Sequence, residues 1–141
     1  MASIQIDHAA VRLVSGPVRS FDAGGAGDLG EPVYLAADGD VELADASDAA
    51  KAQAIGIVIS APGGKDSFVA GDRVDVALPG AVVTGFVGMT PADLVYASTT
   101  PGALDDAAPA SASGDFKWIV GRALTATELL VMCWTDDAAA Q

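Results

Sequence analysis

Apolar and polar residues alternate with a period of two along short runs of this chain, and turn residues separate the runs. Ser3-Ile4-Gln5-Ile6-Asp7 alternates, and Ala10-Val11-Arg12-Leu13-Val14 does so less strictly. Ser15-Gly16-Pro17 then marks a turn, and Ala23-Gly24-Gly25-Ala26-Gly27-Asp28 a connector. Pro32 to Ala36 predicts a strand, Asp38-Gly39 a tight turn, and Val41-Glu42-Leu43 the returning arm of a hairpin. Arg73 to Leu78 alternates cleanly, with Val74, Val76 and Leu78 on the core side. Pro79-Gly80 turns the chain into Ala81 to Val87. Leu94 to Ala97, Lys117 to Ala123 and Glu128 to Trp134 complete the predicted strands. Ala44 to Gln53 carries no large apolar side chain, so it reads as a surface loop or a single helical turn.

The pattern occurs twice. Val33-Tyr34 is followed by Ile55-Gly56-Ile57, and Val95-Tyr96 by Val120-Gly121-Arg122. The Tyr-to-Gly separation is 22 residues in the first copy and 25 in the second. Two copies are too few for a solenoid and suit a duplicated half-barrel. The expected fold is all-β, a compact barrel or sandwich of about ten short strands. The expected organisation is an N-terminal arm and linker over 1–27 and a β domain over 28–135. Its repeat-like halves are 28–60 and 90–131, and a frayed tail covers 136–141.

Composition narrows the function. Apolar residues make up 51% of the 141 residues but aromatics only 6%, so Val, Ile and Leu build the core. Nineteen acids against seven bases give a net charge of −12, with no basic stripe. That balance disfavours direct nucleic-acid binding and an anionic membrane surface, and favours a basic or cation-rich partner. No segment reaches the ~20 apolar residues of a membrane helix. No signal peptide is expected at the start, because Asp7 and His8 interrupt any apolar run, and production in a cytoplasm is expected.

Reactive chemistry is sparse. Cys133 is the sole cysteine and lies in the apolar run Leu129 to Trp134, which reads as a buried thiol. His8 is the sole histidine and reads as a surface or packing residue, with no nucleophile motif around it. The acidic turns at Asp38 to Asp40 and Asp45 to Asp48 lack the order of a calcium loop. Gly24 to Gly27 lacks the Lys-Ser/Thr of a phosphate loop. These readings give no catalytic residue, no cofactor and no metal, and a non-enzymatic role.

Gly30-Glu31-Pro32-Val33-Tyr34-Leu35-Ala36, Ile55-Gly56-Ile57-Val58 and Gly71-Asp72-Arg73-Val74-Asp75-Val76 resemble the capsid decoration, or cement, proteins of tailed bacteriophages. Leu94-Val95-Tyr96-Ala97 with Val120-Gly121-Arg122-Ala123 repeats the resemblance, which covers roughly residues 28–131. It implies a virion structural protein on the outer capsid surface. There it would bind the major capsid protein and itself, as a homotrimer, and bridge capsid subunits. It also implies an N-terminal arm that pairs with the shell, here Ser3, Ile4, Gln5, Ile6 and Asp7. The same segment reads equally as the first strand of the barrel. Trp118 is a candidate anchor for core or interface, and Trp134 is expected in the core. The alternative functions are another phage part, such as a tail, baseplate or head-spike domain, and a carbohydrate-binding or adhesive β module.

Overall fold

The computed structural model describes residues 3–107 and 117–135. Met1, Ala2, residues 108–116 and the tail from 136 lie outside the described residues. The described chain is all-β. Its strands are β1 (Ser3–Ile6), β2 (Arg12–Ser15), β3 (Val18–Asp22), β4 (Gly27–Asp28), β5 (Pro32–Leu35) and β6 (Val41–Leu43). They continue with β7 (Ala54–Ser60), β8 (Ser67–Phe68), β9 (Arg73–Ala77), β10 (Val82–Thr84) and β11 (Phe86–Val87). The last four are β12 (Leu94–Ala97), β13 (Leu104–Asp105), β14 (Trp118–Ala123) and β15 (Glu128–Thr135). The strands outnumber the expected ten because two-residue pieces such as β4, β8 and β13 are too short to alternate visibly in a sequence. The stretch from Ala44 to Gln53 forms turns as expected, but it is not wholly on the surface, because Ala44, Ala46 and Ala52 are buried, small side chains that fit where the loop packs back on the barrel.

Five strands form one sheet in the order β3-β9-β7-β5-β6, and eight form another in the order β11-β1-β13-β12-β14-β15-β10-β2. Both sheets curl. Ala23, directly after β3, bridges Val41 of β6 in parallel, so the two ends of the first sheet meet. In the second sheet, β10 and β11 lie near opposite ends yet are separated only by Gly85. One buried cluster joins the two sheets, with Val33, Ile57 and Val76 from the first and Val83, Val95 and Leu129 from the second. Burial of these branched side chains is the main force holding the sheets together. Val74 and Val76 point inward as expected, whereas Ala77 is buried and Leu78 only partly so.

The two copies of the pattern pair in the same way. In the first, Val33 faces Gly56 and a bulge precedes Tyr34. In the second, Val95 faces Gly121 and a bulge precedes Tyr96. Tyr34 stands opposite Glu42, and Tyr96 opposite Asp105. A Cβ on Gly56 would lie 2.1 Å from the Ala77 carbonyl oxygen, and one on Gly121 2.1 Å from that of Leu130. The same close strand approach thus requires glycine in both places. The sheets differ where the N-terminus enters. In the first, Ala23 reaches β6 directly, whereas in the second β1 sits between β11 and β13.

Candidate protein-docking edge

β2 and β3 each end a sheet. β2 pairs only with β10, and β3 only with β9. Up to the Ala23–Val41 bridge just past β3, both therefore carry one row of backbone donors and acceptors that no neighbouring strand uses, which is the template for strand addition. All four residues of β2 are exposed. Val14 is 52% exposed, and Leu13 and Val18 are also open to solvent. Gly16-Pro17 joins the two strands, so the edge of one sheet runs into the edge of the other.

The charge of this edge is unlike that of the chain. The edge carries a single acid, Asp22 at the end of β3, which pairs with Arg73 at 3.1 Å, while Arg12 and Arg19 supply two of the seven bases. Neither arginine joins an ion pair among the described residues. Arg19 instead lies over the Phe21 ring, 5.4 Å from its centroid, in cation–π contact. Arginines and Pro17 on an edge discourage indiscriminate pairing, and they select for an acidic partner.

The edge is held in place from behind. Ser20 Oγ donates to Asp75 Oδ1 at 2.6 Å, and Ser60 Oγ donates to Asp75 Oδ2 at 2.7 Å. One carboxylate thus ties β3, β9 and β7 together. These two hydroxyls hold the Asp75 carboxyl below the usual carboxylate range.

The residues singled out in the sequence lie elsewhere. Ser3 and Ile4 pair with Asp105 and Leu104, and Gln5 and Ile6 pair with Val87 and Phe86. The Asp7 N–H donates to the Gly85 carbonyl at 2.8 Å. The N-terminal segment is thus seated inside the second sheet, and Ile4 and Ile6 pack against the core. Trp118 is half-buried, and its Nε1–H donates to the Ala54 carbonyl at 2.9 Å, linking β14 to β7. Strands β13 and β12 separate β1 from β14, so these residues form no single patch. Trp134, expected in the core, is 55% exposed. Cys133 beside it is the inward residue, and burial pushes its thiol up to about 12. The docking edge itself was legible only as an acid-poor run containing two arginines.

Comparison with protein-family profiles and with curated proteins finds no match for this chain.

Proposed function

We propose that this chain is a non-enzymatic structural protein of a virion that decorates the outside of a tailed-phage capsid and bridges major capsid subunits. The observation that carries the docking part is the continuous β2–β3 edge, with unused backbone groups, exposed Leu13, Val14 and Val18, and two arginines that join no ion pair among the described residues of an acidic protein. The edge suits an extended acidic segment of a capsid subunit, which would add as a further strand. Self-association as a trimer would multiply individually weak contacts over one particle. The phage assignment rests on the resemblance of the repeated Val-Tyr and apolar-Gly segments.

The test is co-sedimentation with capsids that lack the protein, taken from the same source, before and after shell expansion. Saturable binding to the expanded shell at a fixed ratio to capsid subunits is the expected result. Failure to bind either shell would overturn the capsid role.

A further inference from the structure

We propose that His8, Asp28 and Glu31 form a binding site for a divalent transition-metal ion of the zinc class. The three residues come from separate places in the chain. His8 opens the short 3-10 turn that follows β1, Asp28 ends β4, and Glu31 immediately precedes β5. One ligand atom from each lies within 4.8 Å of the others.

The histidine is oriented for this role. His8 Nδ1–H donates to the Leu29 carbonyl at 2.7 Å. That bond fixes the tautomer and leaves the Nε2 lone pair on the side of the carboxylates, 3.9 Å from Asp28 Oδ2. Ligating histidines characteristically donate their other ring N–H to a backbone carbonyl or a carboxylate. Glu31 is oriented too, because its Oε1 accepts the Asp28 backbone N–H at 2.7 Å. Neither carboxylate pairs with a lysine or arginine among the described residues.

One imidazole nitrogen and two carboxylates favour zinc-like ions over calcium, which takes six to eight oxygens. Three protein ligands leave a coordination position for water. The second half has no such set. Asp28-Leu29-Gly30-Glu31 corresponds in register to Thr90-Pro91-Ala92-Asp93, and the chain's only histidine is at position 8. Among the described residues the set forms where the N-terminal segment meets the first half. A bound ion would fasten that segment, with the seat of β1, to the strand that opens the repeat. This inference does not depend on the capsid assignment.

The experiment is a calorimetric Zn²⁺ titration of the full chain with excess Mg²⁺ present, together with NMR of the single histidine ring. His8→Gln, Glu31→Gln and, as a control, Asp38→Asn are compared, with circular dichroism reporting the fold. The expected result is one ion per chain, a shift of the His8 ring signals, and binding weakened about tenfold or more in His8→Gln and Glu31→Gln but unchanged in Asp38→Asn. If Glu31→Gln fails to fold, His8→Gln decides. No saturable binding, or binding indifferent to His8→Gln, would overturn the site.

Discussion

Gly30 and Ala92 occupy the same place in the two copies, and exchanging their residue types should move stability in opposite directions. Gly30 has φ of 89° and Ala92 has φ of 76°, both in the left-handed region. Each lies before its Val-Tyr strand and donates its N–H across to the facing strand, Gly30 to Val58 and Ala92 to Ala123, both at 2.8 Å. Alanine in that conformation costs about 1–2 kcal/mol. Glycine loses roughly 0.5–1 kcal/mol more than alanine in chain freedom on folding. Ala92→Gly should therefore stabilise by about 1 kcal/mol. Gly30→Ala adds a clash to the strain, because a Cβ there would lie 2.6 Å from Ile6 Cγ2 and 2.8 Å from Val11 Cγ2. Overpacking of that kind costs about 1–3 kcal/mol, so the net loss is about 2–4 kcal/mol. Urea unfolding followed by tryptophan fluorescence measures both changes. In a chain of this size, 1 kcal/mol corresponds to about 2–4 °C in melting temperature. A destabilised Ala92→Gly, or a neutral Gly30→Ala, would refute the reasoning from register and backbone conformation.

Three further outcomes are expected. Because the Asp75 carboxyl is held low in the folded state, the unfolded chain binds more protons in acid; stability should fall as pH drops from the ordinary carboxylate pKa through the lower folded one, and Ser20→Ala/Ser60→Ala should flatten that limb of the denaturation–pH curve. Cys133, with its thiol raised to about 12 by burial, should react with a thiol reagent at pH 8 only as fast as the protein opens; rapid stoichiometric labelling of folded protein would contradict this. Trp118→Phe should cost about 1 kcal/mol through loss of the bond to Ala54, whereas Trp134→Ala should stay within about 0.5 kcal/mol; equal costs in denaturation would contradict the assignment.

The legible part of this fold is the part governed by local periodicity. Alternation at Arg73 to Ala77 and the apolar runs at Ala54 to Ser60 and Trp118 to Ala123 announce strands because one or both faces are buried. The paired Val-Tyr and apolar-Gly segments also announce the matching registers, since in each copy the glycine pairs with the valine on one side and is approached too closely for a Cβ by the strand on its other side, β9 or β15. Long-range placement is what the sequence hides. Trp134 lies in an apolar run, yet the backbone turns at Cys133, whose φ is 51°, and the outward residue is the tryptophan. β1 reads equally well as an arm or a barrel strand, because either partner would use the same backbone groups. β2 looks like an ordinary alternating strand, and only the sheet order shows that it ends a sheet. His8, Asp28 and Glu31 carry no recognisable spacing because a turn, a strand end and a strand start bring them together.

Under the proposed function, the β2–β3 edge is the face presented to a capsid. The most direct measurement is an electron cryomicroscopy reconstruction of expanded capsids with and without the added protein. The expected result is difference density on the outer surface into which the chain fits with Leu13, Val14 and Val18 against a capsid subunit, and loss of that density with Leu13→Asp/Val14→Asp. Density that places this edge toward solvent, or decoration unaffected by the double substitution, would contradict it.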